Sequence, residues 1–257
     1  MERVTVNETA IAYATYGEGE PLLLIHGAQG SSVEWKPQIE ALAGHFRLIV
    51  PDVRGHGASA QTSGPYSMEL FADDLAALLD ALEVESAHVL GHSMGGAVAQ
   101  SLAARHAGKV RRLILAETNY GFEDYPLLWW ITTLSAPAMR LIGVRGVVSL
   151  IIKQLGEQDE ADKHLLESGF APQIANPRNF WNIWRANNDY KGKAALAQIK
   201  APTLVMIAAR NKITHGMGKR MAKTIPGARL ITIPDAGHML NWDNAGAFNA
   251  EVIRFFT

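Results

Sequence analysis

The chain contains no cysteine, which excludes disulfide staples, thiolate metal sites and a cysteine nucleophile together. Excess charge is missing as well: 24 Lys and Arg stand against 25 Asp and Glu, a formal net charge of −1 at pH 7. So neutral a chain exerts no long-range pull on a polyanion, and its basic residues are scattered rather than clustered, so nucleic acid is not an expected partner. Long apolar runs are also lacking. The most apolar stretch, from Tyr125 to Ile152, is interrupted by Pro137, Arg140 and Arg145, so no membrane span is expected. The opening Met1-Glu2-Arg3-Val4-Thr5-Val6 shows no basic segment followed by an apolar run; no signal peptide and a cytoplasmic location are the expectation. No phosphate loop ending in Gly-Lys-Ser/Thr occurs. Gly55-His56-Gly57-Ala58-Ser59-Ala60 nearly matches a dinucleotide fingerprint, but it runs into Gln61-Thr62-Ser63-Gly64-Pro65 instead of a helix. His88 and His92 are four apart, yet on a strand and a turn, where they share no helical face as metal ligands do. No cofactor and no metal are expected.

What is present is core. Of 257 residues, 48% are hydrophobic, enough for one large domain with an insertion. Glu2 to Val6 and Ile11 to Tyr16 flank the polar Asn7-Glu8-Thr9 and suggest a starting hairpin. Leu22 to Ile25, Leu48 to Val50, Ala87 to Leu90, Leu113 to Ala116, Thr203 to Ala208 and Leu230 to Ile233 are continuous apolar runs, as expected of strands buried on both faces of a largely parallel sheet. Between them, Phe71, Leu75, Leu78, Leu79 and Leu82 keep helical spacing. Eight candidate strands with intervening helices indicate an α/β fold. The segment from about Asn119 to Gln198 breaks the rhythm: it has no clear strand and holds Trp129, Trp130, Trp181 and Trp184, four of the six tryptophans, so it reads as a helical insertion.

The chemistry centres on Gly91-His92-Ser93-Met94-Gly95, which fits the Gly-x-Ser-x-Gly elbow where a strand turns sharply into a helix and lifts a serine hydroxyl above the sheet. By chance the pentapeptide appears in about one chain in ten of this length, so its neighbours decide. Three other loops follow apolar strands: His26-Gly27-Ala28-Gln29-Gly30, Asp52-Val53-Arg54-Gly55-His56-Gly57 and Asp235-Ala236-Gly237-His238. In an open parallel sheet, functional groups gather at the carboxyl ends of the strands.

With these loops in place, the chain resembles the α/β-hydrolase fold superfamily from about residue 2 to the end. The resemblance implies an eight-stranded, mostly parallel sheet flanked by helices, with residues 1–118 and 199–257 as the core domain and 119–198 as a helical cap inserted after the sixth strand. It implies Ser93 as nucleophile, His238 as general base, and an oxyanion hole from the backbone N–H groups of Ala28 and Met94. His56 and His92 read as structural. The usual acid position, on the loop after the seventh strand, holds Asn211, which carries no charge to stabilise an imidazolium; an Asp-to-Asn change of this kind costs a serine protease roughly ten-thousandfold. Either the enzyme is crippled or its acid comes from elsewhere. Glu117, ending the sixth strand, is the candidate, against the alternatives that it caps the following segment or pairs with Arg210; Asp235 and Asp243 lie too close to His238 in sequence to orient its ring.

The expected function is a cofactor-independent serine hydrolase of a small apolar carboxylic ester or lactone, with Trp129, Trp130, Trp181 and Trp184 as candidate substrate-binding residues. The alternatives are a C–C bond hydrolase, a cofactor-free haloperoxidase or perhydrolase of the same fold, and a ligand receptor that keeps the pocket without turnover. A dehalogenase or epoxide hydrolase would need a carboxylate where Ser93 stands. The sequence does not state an oligomeric state.

Overall fold

The computed structural model describes residues 1–155 and 175–257. Its strands are β1 (Glu2–Val6), β2 (Thr9–Tyr16), β3 (Glu20–Ile25), β4 (Phe46–Pro51), β5 (Ala87–His92), β6 (Val110–Ala116), β7 (Thr203–Ala208) and β8 (Arg229–Ile233). They form one sheet in the order β1-β2-β4-β3-β5-β6-β7-β8. β2 runs antiparallel to β1 and β4, and the remaining neighbours are parallel. All eight sequence-derived strands are found. The first two form the expected hairpin, turning at Asn7 and Glu8, both with positive φ.

The helices are α1 (Lys36–Ala43), α2 (Met68–Ala81), α3 (Met94–Arg105), α4 (Pro126–Leu155), α5 (Pro177–Asp189), α6 (Lys193–Leu196), α7 (Lys212–Thr224), α8 (Leu240–Asp243) and α9 (Ala245–Phe256). The strands alternate between two cores, which is why their sequences are apolar throughout. Leu23, Ile25, Val89, Leu113, Leu115 and Val205 pack under residues of α2, α3 and α7, while Leu22, Leu24, Leu90, Ile114, Leu204 and Met206 pack on the other face with Leu42, Phe248 and Val252. Each fully buried Leu or Ile is worth about 1.5–3 kcal/mol relative to exposure. The two layers therefore hold the strand ends rigidly.

A helical insertion follows β6. Within α4 the backbone leaves helical geometry at Gly143 (φ 72, ψ 168), so two helices meet there at a kink. α5 begins with Asn176 accepting from the N–H of Asn179, with Pro177 in the first turn. Residues 156–174 of the expected insertion lie outside the described residues. The insertion is tied down at its base: Gly121 and Lys191 form a β-bridge, Asn179 donates to the carbonyl of Gly55, and Gln29 donates to the carbonyl of Phe180. Among the described residues no helix is long and apolar enough to cross a membrane.

Candidate active site

Ser93 sits at the corner between β5 and α3 with φ 53 and ψ −122, a left-handed conformation that costs a non-glycine residue on the order of 1–3 kcal/mol. The surroundings enforce it. The N–H of Ser93 donates to the carbonyl of Ala116, and its own carbonyl accepts from the hydroxyl of Thr118 at 2.5 Å. Glycines permit the sharp crossing: a Cβ on Gly91 would lie 2.2 Å from the carbonyl oxygen of Gly95, and one on Gly95 would lie 2.1 Å from that of Ile25. Any side chain at either position would push the helix off the sheet.

The loop after β8 brings His238 to this corner, with Nε2 3.1 Å from the Ser93 hydroxyl oxygen. On the other side of the ring, Nδ1 lies 3.7 Å from Oε2 of Glu117, ion-pair range but longer than a good hydrogen bond. Glu117 is buried at the end of β6, with φ 43. Three donors surround its carboxylate: the N–H of Ala208 at 2.5 Å, Nδ2 of Asn211 at 2.6 Å and the hydroxyl of Thr214 at 2.7 Å. Burial alone would raise its pKa, but the adjacent His238, the Thr214 hydroxyl and the Ala208 N–H together hold it below the usual carboxylate range. It is therefore an anion at neutral pH. Asn211 at the usual acid position is thus not a vacant acid but a donor to the carboxylate next door; an aspartate there would set two anions against each other. Asp243 instead accepts from the N–H of Gly237 and pairs with Arg210, shaping the His238 loop, and Asp235 is an exposed turn residue with φ 52.

The loop after β3 lies against Ser93 from the opposite side. A Cβ on Gly27 would stand 3.3 Å from Cβ of Ser93, so the missing side chain lets the backbone close in. Among the described residues, the N–H groups of Ala28 and Met94 make no hydrogen bond. The loop is anchored by a residue the sequence reading did not single out. Glu34 is buried, accepts from the N–H of Gly27 at 2.9 Å through Oε2, and lies 2.9 Å from Nδ1 of His92 through Oε1. Its one sequence signal is a carboxylate standing just before Trp35 in the stretch Gly30 to Trp35, which is otherwise small or apolar. His92 is also buried, with Nε2 2.9 Å from the carbonyl of His238. His56, by contrast, donates to the carbonyl of Arg54, and burial pushes its pKa down to about 3, so it stays neutral.

The tryptophans are dispersed. Trp181 and Trp184 pack with Phe180, Val144, Val147 and Val148 in the insertion's own small core, and Trp130 is 52% exposed. Trp129 lines a cleft of about 480 Å³ with Phe122, Pro126 and Tyr190; neither Ser93 nor His238 is among its walls. Among the described residues no group of three His, Asp or Glu side chains is arranged to hold a metal ion.

Residues 20–146 match the sequence model of the alpha/beta hydrolase fold. The chain is 30% identical over 246 residues to a 2-hydroxymuconate semialdehyde hydrolase from Pseudomonas sp. strain CF600, covering 90% of this chain and 85% of that one. The chain belongs to the α/β-hydrolase fold family. Two further members show the spread of reactions among its relatives. An N-formylmaleamate deformylase from Pseudomonas putida is 28% identical, with 96% of this chain and 92% of that protein covered. The crystal structure of an enol-lactonase from Burkholderia xenovorans LB400 superposes with a TM-score of 0.86 at 27% identity, covering 99% of both chains. In this α/β-hydrolase a plain alternation of strand and helix runs from β3 to β6 and is interrupted after β6 by the helical insertion.

Proposed function

We propose that this α/β-hydrolase is a serine hydrolase that cleaves a carboxylic ester or lactone carrying an apolar group. The observation that carries the reading is the 3.1 Å contact between the Ser93 hydroxyl and Nε2 of His238, at a strained corner with a buried anion behind the ring. A serine hydroxyl is a poor nucleophile until a base removes its proton as it attacks, and imidazole titrates close enough to neutrality to do so. His238 takes that proton as Ser93 Oγ bonds to the carbonyl carbon. The carbonyl oxygen, now negative, is received by the N–H groups of Ala28 and Met94, which make no other hydrogen bond among the described residues. Collapse of the tetrahedral intermediate breaks the bond to the alcohol oxygen, which leaves with the proton from His238; in a lactone it stays tethered. Water, deprotonated by His238, then attacks the acyl-enzyme, and the acid departs as Ser93 recovers its hydrogen. Glu117 fixes the ring with Nδ1 protonated and offsets the imidazolium charge in each half-reaction.

The non-catalytic reading drew its force from Asn211, and the contact of Asn211 with an ionised Glu117 removes that reason. The enol-lactonase likeness favours an oxygen leaving group, whereas the deformylase and the semialdehyde hydrolase show that the fold alone does not name the bond. We take residues 119–198 as the cap over a body formed by 1–118 and 199–257, and its apolar composition as the basis for an apolar substrate. The test is turnover of p-nitrophenyl esters of increasing chain length and of matched lactones, with mass-spectrometric mapping of a fluorophosphonate adduct. Adduct on Ser93 and hydrolysis rising with chain length are expected. Absence of adduct, or turnover indifferent to Ser93, overturns the reading.

A further inference from the structure

We infer that His92 is held as an imidazolium by Glu34, and that this buried ion pair is a positioning device that sets the oxyanion loop and the His238 loop against Ser93. The inference rests on the hydrolase reading for its kinetic consequence, but not for its structural content.

The geometry demands two donors from one ring. Nδ1 of His92 faces Oε1 of Glu34 at 2.9 Å, and Nε2 faces the main-chain carbonyl of His238 at 2.9 Å. A carbonyl accepts only, and so does a carboxylate when ionised; a neutral imidazole has a single N–H to offer them. The proton could satisfy the pair from Glu34 instead, leaving Nδ1 a bare acceptor. Three features put it on the ring. An imidazole is the stronger base by about two pKa units, Oε2 of Glu34 already accepts the N–H of Gly27, and the carboxyl is held below its usual range despite burial while His92 is raised above its own.

The charged and titratable groups facing the pair come from every neighbouring element: His26 after β3, Glu117 at the end of β6, and His238 after β8 with its ring centroid 5.0 Å from that of His92. Two buried carboxylates thus share two imidazoles. On this inference His92 neutralises Glu34 in the resting protein, while His238 lies beside Glu117 and takes up the serine's proton during the reaction. Glu34 also gathers the site mechanically: its main-chain carbonyl accepts from Nε1 of Trp242 at 2.6 Å and Nδ2 of Asn241 at 3.1 Å, both on α8 directly after His238. One residue therefore grips the amide before Ala28, the residue before Ser93 and the helix after His238.

The test uses the full chain labelled with ¹⁵N-histidine. Long-range ¹H–¹⁵N correlation between about pH 6 and 8 should show both His92 nitrogens protonated, with His92→Asn supplying the assignment. Glu34→Gln keeps an acceptor for Gly27 but removes the charge. It should leave one His92 nitrogen bare at neutral pH, lower kcat for an ester about tenfold to a hundredfold with KM within about twofold, and move the alkaline fall of kcat to lower pH. One bare His92 nitrogen in the native protein at pH 7 overturns the inference. So does a Glu34→Gln protein with unchanged kcat, or one whose loss of activity equals its loss of folded fraction. If fluorophosphonate fails to label Ser93 while both His92 nitrogens are protonated, it is the hydrolase reading that fails, and the ion pair stands.

Discussion

The sheet end that carries Ser93 and the insertion above it are built on opposite plans. Around Ser93, His92, Glu34 and Glu117 are buried and tied to partners, and Ser93 and Glu117 keep backbone conformations that only surrounding structure can hold. In the insertion, large apolar side chains face outward: Leu127 is 72% exposed, Leu134 66% and Leu141 89%. Among the described residues its own core is small, with Val144, Val147, Val148 and Phe180 at the centre. The first region is over-determined, and in the proposed function it supplies the chemistry; the second is joined to the rest of the chain through polar contacts such as Asn179 with Gly55 and Gln29 with Phe180, and on the same proposal it is where substrate choice can change without disturbing the reaction. Relatives with a shared fold and three different substrates fit that division.

The sharpest way to break the comparison is Ser93→Ala. On this account kcat for an ester falls by about 10⁶-fold, fluorophosphonate labelling disappears, and the melting temperature stays within a few degrees. A stable protein with residual activity above about one per cent would move the chemistry elsewhere. Core packing comes next: Leu90→Ala, in the middle of the elbow strand, should cost about 2–5 kcal/mol in urea unfolding. The pH dependence of stability follows from the buried carboxylates. Glu117 and Glu34 are both depressed in the folded state, so their contribution is present above the ordinary carboxylate range and lost as pH falls through their folded values. His92 is raised, so its contribution is present in acid up to the ordinary histidine range and lost as pH climbs through its folded value. Urea titrations across pH should therefore show a plateau between the ordinary carboxylate and histidine ranges with losses on both sides, and Glu34→Gln should flatten the alkaline side. The smallest effect belongs to the insertion surface: Leu141→Ser should change stability by no more than about 0.5 kcal/mol, and a change as large as that for Leu90→Ala would mean that Leu141 is covered.

The fold was legible because two-sided burial leaves a plain mark: a strand such as Leu22 to Ile25 must be apolar at every position. The meeting of Ser93 and His238 was expected from the elbow pattern and the resemblance to the α/β-hydrolase fold, and the two side chains do lie together. Glu117 could be reached only by elimination, from an Asn211 that fits no triad, and only the structure gives Asn211 its purpose as a donor. Glu34 could not be read. Its meaning comes from His92, 58 positions away, and from an amide at Gly27, and no spacing rule links the three. The placement of the four tryptophans was not legible for a related reason: composition says that a residue is apolar, not which way its ring faces, and here Trp181 and Trp184 pack on the insertion's core, Trp130 faces outward and Trp129 lines a cleft.

The account turns on which carboxylate serves His238. The most direct measurement is the rate of Ser93 labelling by a fluorophosphonate in the native protein, in Glu117→Gln and in Asn211→Asp. The account predicts a fall of about 10³–10⁴-fold for Glu117→Gln and no gain for Asn211→Asp, where a second anion would face Glu117. Faster labelling in Asn211→Asp than in the native protein, or unchanged labelling in Glu117→Gln, would contradict it.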